Sequence, residues 1–578
     1  MSGFTSGGKK RLTPPGAVTD NVRSISNTGK DATMRRSTAL TRLALAFLAA
    51  ASPAVLLAQI AKKPNESQYK RIHQDALKMI KAGKLNDAIG YLNYHRVRNP
   101  EDAETMFMLA VAQAHDGAAE DAAASVQKAL DLGLPPGRFI AGPHDLLAPL
   151  RELPAYKELA DKLKGSVIQG PMLGDVTDKT ARVWFRTAGP ATVQVLYANL
   201  PKIDYPLVSV PVKTNADSDF AGVAVLSHMK PDTVYHYYVH VAEPGKNLID
   251  AKTGYPPLNH GTFRTQAATG ATHNFTIAFG GGAGYVPSNE RAWNTVHSFK
   301  PDALLLLGDN AYIDAPTIPD MQTYCYYRRF SRPEFRGLVA DTPVYAIWDD
   351  HDFGTNDCWG GPDIDTPAWK RPVWRVFKQN WANPGYGGGE EQPGVWYRFA
   401  VNGVDFIMLD CRYYRTSPKA ERPSMLGPVQ KAWLFDQLKQ CQGTFKVLAS
   451  SVPWVFGAKG DSLDTWNGFP AERNEIFDYL AEHRIEGVVL LSADRHRSDL
   501  WKIDRPNAYP LYEFNSSRLT NQHVHGEMKN ALFSYNKKQS FGLVEFNLTA
   551  ADPAVTYTIV TIDGEKVHSH AVKRSELK

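Results

Sequence analysis

Cysteine is scarce in this chain: four residues in 578, at positions 325, 358, 411 and 441, with no CxxC pair among them. Such scarcity argues against a disulfide-framed scaffold and an all-thiolate zinc site, and it leaves any pairing among the four undecided. Charge of one sign is lacking too. With 65 Lys plus Arg against 60 Asp plus Glu the formal charge is only +5, which gives no electrostatic footprint of a nucleic-acid binder. The one prominent apolar stretch, after Arg42, is broken by Pro53 and falls short of the ~20 residues that a membrane span needs.

That stretch lies in Met34 to Gln59, which has a basic start, an apolar middle and a small residue, Ala58, where a signal peptidase could cut. Residues 34–58 are therefore expected to be an export signal. The mature protein would then be periplasmic or extracellular, with no stable membrane span after cleavage; an uncleaved anchor is the alternative. The pair Arg35-Arg36 lacks the continuation of a twin-arginine signal. Residues 1–33 are polar, rich in Gly, Ser and Thr, and without apolar period, so disorder is expected there.

A chain of this length should form several domains. Residues 66–165 read as helices with an internal repeat. AGKLNDAI turns at Gly83 and DGAAEDAA at Gly117, and the 34-residue offset is kept by Asp87 with Asp121 and Ala88 with Ala122. This is the period of a tetratricopeptide helix pair; a plain helical bundle is the alternative. Two repeats fall below the usual minimum of about three, so the array must lean on a neighbour, and such repeats offer a surface for a protein partner. In residues 166–266 the period switches to short alternating runs, TARVWFRT, TVQVLYA and VYHYYVHV, parted by Pro and Gly turns, which predicts a small β-sandwich. MKPDTVYHYYV, from Met229, resembles the turn and strand of fibronectin type III modules.

Residues 272–578 repeat strand, polar loop, helix. FTIAF leads into GGGAGY, ALLLL into GDNAYID, VYAIW into DDHDFGTND, VDFIML into DCRYYR, KVLASS into VPW, and GVVLLS into ADRHRSD. In an open α/β sheet ligands bind beyond the carboxyl ends of the strands, so these loops are expected to share one site. It would gather Asp309, Asp349, Asp350, Asp352, Asp357, Asp410 and Asp494 with His351 and His496. So many carboxylates repel unless cations are present. Asp309, Tyr312, Asn356 and Asp494 offer oxygen and His496 nitrogen, a donor set suited to hard ions such as Ca²⁺, Mn²⁺ or Fe³⁺. Each motif alone is commonly a turn or a salt-bridged corner; their occurrence together, each directly after an apolar strand, points to a metal site.

GDNAYID, WDDHDFGTND and LSADRHRSDL, following a fibronectin-like module, resemble the alkaline phosphatase D (PhoD-like) family of calcineurin-like metallophosphoesterases. The resemblance covers roughly residues 168–570 and leaves the helical repeats outside it. It implies a four-layer α/β sandwich with a two-metal or mixed-metal centre that hydrolyses phosphate esters. Asp309 would bridge the ions, Tyr312 would bind the more charged one, typically Fe³⁺, and Asn356 the second, typically Ca²⁺, with Mn²⁺ or Zn²⁺ as alternatives. Asp494 and His496 would complete the shells. His351, flanked by Asp350 and Asp352, would support the ligands or meet the leaving group, and Arg495 could face the phosphate. The chain departs from the family where a cysteine ligand usually follows the first strand; here stand Phe279-Gly280-Gly281-Gly282. A lesser departure is Ala493, where Gly is common.

The expected reaction is in-line attack on phosphorus by a metal-bound hydroxide, with inversion and no protein nucleophile. Arg328, Arg329, Arg412, Arg415 and Arg497 flank the motifs, and one or two of them are expected to reach the phosphate. Tyr324-Cys325-Tyr326-Tyr327 reads as a packed lid. Two rival readings are a phosphodiesterase or phospholipase-D-like esterase, and a binding or scaffold protein with a degenerate site.

Overall fold

The computed structural model describes residues 69–199, 207–242 and 259–578. The expected export signal and the polar extension before it lie outside the described residues. Among the described residues no helix is long and apolar enough to cross a membrane, and the four cysteines carry free thiols.

The chain opens with two helix pairs: α1 (Tyr69–Lys81), α2 (Leu85–Arg98), α3 (Ala103–His115) and α4 (Ala119–Asp131). Each pair turns on a glycine with positive φ, Gly83 at 70° and Gly117 at 80°, a conformation that a Cβ would strain. Helix starts recur at the offset seen in the sequence (69 to 103, 85 to 119). Leu77, Ala88, Leu92, Phe107, Ala110 and Ala122 fill the space between the helices, and the alanines let the backbones approach closely.

Eight strands follow: β1 (Val167–Gly174), β2 (Ala181–Thr187), β3 (Ala191–Asn199), β4 (Leu207–Val208), β5 (Val212–Thr214), β6 (Ala221–Leu226), β7 (Val234–Ala242) and β8 (His260–Arg264). They form two antiparallel sheets, β1-β2-β6 and β4-β3-β7-β8, with β5 also on β3. Val183, Phe185, Val195, Tyr237 and Phe263 pack between them. This is the sandwich that the alternating runs predict.

The remaining strands build two larger sheets. One has the order β11-β10-β9-β20-β21-β22, from β9 (Phe275–Gly280), β10 (Ala303–Leu307), β11 (Val344–Ile347), β20 (Ser540–Asn547), β21 (Ala554–Thr561) and β22 (Lys566–Lys573). The other has the order β12-β13-β14-β16-β18-β17-β19, from β12 (Tyr397–Val401), β13 (Val404–Met408), β14 (Phe445–Ala449), β16 (Val488–Ser492), β17 (Ser498–Arg505), β18 (Ala508–Ser516) and β19 (Phe533–Tyr535); β15 (Ala458–Asp461) lies outside both. Strands β9, β10 and β11 run parallel, as do β13, β14, β16 and β18. Strands β10, β11, β13 and β16 are buried along their whole length, as parallel strands covered on both faces must be. Phe275, Phe406 and Phe546 pack the sheets face to face, and helices Gly427–Gln440 and Pro470–Glu482 cover the outside of the second. The result is a layered α/β sandwich.

The helix Pro319–Phe330 joins the three parts. Tyr324 donates to Glu104 of α3 at 3.0 Å, Tyr327 to Asp219 beside the β-sandwich at 2.8 Å, and Cys325 accepts from Gln74 of α1 at 3.0 Å. The aromatic run read as a lid is thus a buried hub. The helical array does lean on a neighbour: Glu104 also meets the buried guanidinium of Arg138, and Lys81 reaches Asp320 at 2.7 Å.

Candidate metal centre

The loops after β10, β11 and β16 meet. After β10 the chain turns through Gly308 (φ 102°) into Asp309, which is itself left-handed (φ 54°), and after β16 Asp494 (φ 66°) and His496 (φ 47°) are left-handed as well. Aspartate tolerates this region better than most residues, yet three such positions at strand ends are held against local preference. Asp352 holds the first turn: its carboxylate accepts from the backbone amides of Asn310 at 3.1 Å, Ala311 at 2.7 Å and Asp349 at 3.3 Å.

Asp309 is only 2% exposed, and its Oδ1 has no hydrogen-bond partner among the described residues. Asp309, Asp350 and His351 each present a ligand atom, all within 4.8 Å of one another. Burial, with Asp350, Asp349 and Asp352 close by and His351 opposing, pushes the Asp309 carboxyl well above the usual range. Burial disfavours the His351 cation, but Asp309, Asp350 and Asp314 outweigh it and raise the imidazole to about 10. Its Nδ1 is held by Asp314 at 2.5 Å, and Asp314 also pairs with Arg71 of α1.

The Tyr312 ring lies beside that of His351, with ring centres 4.4 Å apart. Its hydroxyl lies 3.1 Å from His496 Nε2 and accepts from Asn521 Nδ2 at 2.7 Å, while burial and then Asp309 keep the phenol protonated. His496 is buried with Nδ1 unpartnered, and burial together with His523, His525 and Lys70 holds its pKa well down. Lys70 of α1 places its ammonium 3.7 Å from the centre of the Tyr312 ring. Burial and Arg71 lower that ammonium to about 8. Asp494 touches Lys459 at 3.5 Å and Arg495 at 3.4 Å; these cations overcome the effect of burial and lower its pKa.

The donors fit cations. Asp309 Oδ1, Asp349 Oδ2 and His496 Nδ1 each lack a protein partner, and buried atoms of this kind are what multivalent ions satisfy; Asp309 falls in one group of possible ligands with Asp350 and His351, and His496 in another with His523 and His525. Of the expected residues, the structure brings Asp309, Tyr312, Asp350, His351, Asp494, Arg495 and His496 to this rim. Asn356 stands on the exposed turn after helix Asp350–Phe353, with no hydrogen bond to the cluster among the described residues.

Other expected members are engaged elsewhere. Asp410 accepts from Trp348 Nε1 and from the amides of Val395, Arg412 and Tyr413, so it braces the loop after β13. Asp357, by contrast, stays at the rim: it binds Lys459 at 2.9 Å, the lysine that also touches Asp494, and it offers a ligand atom within 4.8 Å of those of Asp350 and Asp464. The arginines expected to reach the phosphate are largely spent: Arg412 pairs with Asp349 and Asp464, Arg415 with Asp464, Arg329 with Glu290 and Arg497 with Asp499. Arg328 is buried over the ring of Tyr285 at 4.3 Å. Lys70, Lys459, Asn521, His523 and His525 are the site residues that sequence reasoning missed. The His-x-His spacing of residues 523 and 525 was the one readable signal, but it stands well past the end of β18, not directly after it.

The glycines after β9 have a packing cause. A Cβ on Gly281 would lie 2.7 Å from the Cβ of Ala493 and 3.0 Å from the Gly308 carbonyl, and one on Gly282 (φ 65°) would lie 2.2 Å from the Ser517 carbonyl. The two departures from the family pattern are therefore one: the methyl of Ala493 occupies the space that a side chain at Gly281 would need.

Comparison with known proteins bears on the family and the fold. The profile of PhoD-like phosphatases matches residues 277–568, and a domain of unknown function, DUF7800, matches residues 164–257. The chain is 24% identical over 338 residues to alkaline phosphatase D of Bacillus subtilis (strain 168), a match covering 50% of this chain and 55% of that protein. It thus spans about half the length of that curated relative. A solved structure described as that of PhoD superposes with a TM-score of 0.55 at 17% identity, covering 69% of this chain and 91% of the other. A predicted phosphoesterase from Streptococcus pneumoniae TIGR4 is 12% identical, with a TM-score of 0.23, over 53% of this chain and 100% of that one. With the glycine-acid turn after β10, the acidic loop after β11 and the Asp-Arg-His turn after β16 all inside a match that spans half of its residues, the chain belongs to the PhoD-like phosphatase family.

Proposed function

We propose that the chain is an exported, metal-dependent phosphoric ester hydrolase whose reaction takes place at Asp309. The buried Asp309 carboxylate, with one oxygen left unsatisfied beside Asp350 and His351 and with Tyr312 and His496 close by, carries this reading. Asp309, Tyr312, Asp494 and His496 would hold the ions, with Asn356 closing the second site from its turn. Fe³⁺ suits the phenol side and Ca²⁺ the carboxylate side, with Mn²⁺ or Zn²⁺ as alternatives. Bound there, the ions would supply an acidified water and neutralise charge on the phosphoryl oxygens.

The chain's own groups do the rest. The Nδ1 of His351 is fixed on Asp314, so the nitrogen it can turn to the substrate, and the proton it can move, are at Nε2. From there it can protonate the leaving oxygen, which then departs as a neutral alcohol. Lys70 and Arg495 add positive charge at the rim, where a phosphate monoester brings two negative charges. Asp350 accepts from the Asp357 amide at 2.6 Å and fixes the loop that carries Asn356.

The test is hydrolysis of chromogenic mono- and diesters by purified protein, repeated with Asp309→Ala. Loss of turnover in the variant supports the reading; equal turnover removes it. Export rests on the basic and apolar character of residues 34–58, and sequencing the amino terminus of protein recovered from outside the cytoplasm checks it.

A further inference from the structure

The loop after β18 brings two more imidazoles to the rim. His496, His523 and His525 each place a ring nitrogen within 4.8 Å of the others, with ring centres 4.9, 5.4 and 4.7 Å apart. The rings of His523 and His525 stand at 90°, so they meet edge to face and do not stack. Alternate residues of an extended segment point the same way only if the backbone turns little between them, and here the backbone is fixed. The Asn521 amide donates to the Gly282 carbonyl at 3.2 Å, Thr520 Oγ1 to the Gly284 carbonyl at 2.7 Å, and Asn536 Nδ2 to the His525 carbonyl at 2.9 Å. Asn521 further bonds Tyr312 through its side-chain nitrogen and the His523 amide through its oxygen. The glycine loop after β9, which has no room for a ligand side chain, is thus the surface on which the histidine loop docks.

The Tyr312 hydroxyl stands 3.1 Å from His496 Nε2, so that nitrogen is the one an ion shared with the phenol would take. Three imidazoles converge beside a phenol, and a cation is the ligand that satisfies their nitrogens at once.

We propose that His523 and His525 join His496 and Tyr312 to hold one metal ion, taking the place of a ligand that the glycine loop cannot supply. A site of three nitrogens and one oxygen suits a borderline divalent ion such as Zn²⁺, Co²⁺ or Fe²⁺ better than Ca²⁺ or Mg²⁺. His523 is exposed while His496 is buried, so the open side of this ion faces solvent and an incoming substrate. The inference concerns binding alone and is separable from the catalytic reading: a chain that hydrolyses no ester can still hold this ion.

The test uses the full chain, freed of metal and reloaded with Zn²⁺ or Co²⁺. Wild type should bind Zn²⁺ in a step that the His523→Ala/His525→Ala variant lacks, and the Co²⁺-loaded wild type should show ligand-field absorption of a nitrogen-rich site that the variant loses. His523→Gln alone, at an exposed position, should weaken Zn²⁺ at this step by about 10- to 100-fold. The same Zn²⁺ titration and the same Co²⁺ spectrum in wild type and variants would overturn the proposal, as would wild type that takes up neither ion.

Discussion

Asp309 and Asp352 lie within one loop-to-loop contact and do opposite things. Asp352 spends its oxygens on three backbone amides, whereas Asp309 keeps one oxygen free. Sequence reasoning placed both acids at the rim because both follow apolar strands, and nothing in the one-dimensional pattern tells an amide-bound carboxylate from a free one. Asp410 deceived in the same way. Asp309→Ala should lower kcat/KM by about 10³-fold, roughly 4 kcal/mol of lost charge stabilisation, and release bound metal; steady-state kinetics with metal analysis check it. Glu513, beneath the site on β18, gives a prediction for stability. It accepts from the Trp454 amide at 3.0 Å, the Val455 amide at 2.7 Å and Ser492, but burial outweighs these bonds and raises it to about 7. A carboxyl raised on folding adds stability below the ordinary carboxyl range and loses it as pH climbs through about 7. Between pH 4.5 and 8 wild type should therefore lose on the order of 3 kcal/mol relative to Glu513→Gln, measured by urea unfolding at both ends of that range.

At the scale of elements, the four first helices were legible from the 34-residue echo and the turn glycines. Their attachment was not, because it rests on Arg71, Gln74 and Glu104, polar residues that look like any solvated helix face. In the structure α1 lies against the candidate metal centre: Gln74 donates to the Tyr312 carbonyl, Arg71 pairs with Asp314, and Lys70 covers the Tyr312 ring. Helix α3 is anchored by Glu104, which serves both Arg138 and Tyr324. Glu104→Ala would strand the buried Arg138 cation and should cost about 3–5 kcal/mol of unfolding free energy. Equal denaturation curves for variant and wild type would show that the helical array is not held this way. The glycines after β9 were legible as a departure, but their cause, the close approach of the Ala493 methyl and of the Gly308 and Ser517 carbonyls, arises only in the fold.

For the whole molecule, the sequence announces that strand ends share a site and conceals that the strands belong to two sheets. Strands β9, β10 and β11 sit in one and β13, β14 and β16 in the other, so acids distant in the chain meet where the two parallel sets face each other. A net charge of +5 conceals this too, since the carboxylates at the rim are offset by Lys70, Lys459, Arg412 and Arg495 close by. The covered strands were readable from apolar runs, and the layers only through the resemblance of the motifs to a known family; the balance of charge at the rim was not readable, because it depends on which cations arrive from outside the motifs. The most direct check is the metal content of purified full-length protein after exhaustive dialysis, by mass spectrometry of the ions. About two equivalents per chain are expected, falling when Asp309 is replaced by Ala. Folded protein that retains no ion and hydrolyses esters equally well in excess chelator would contradict the account.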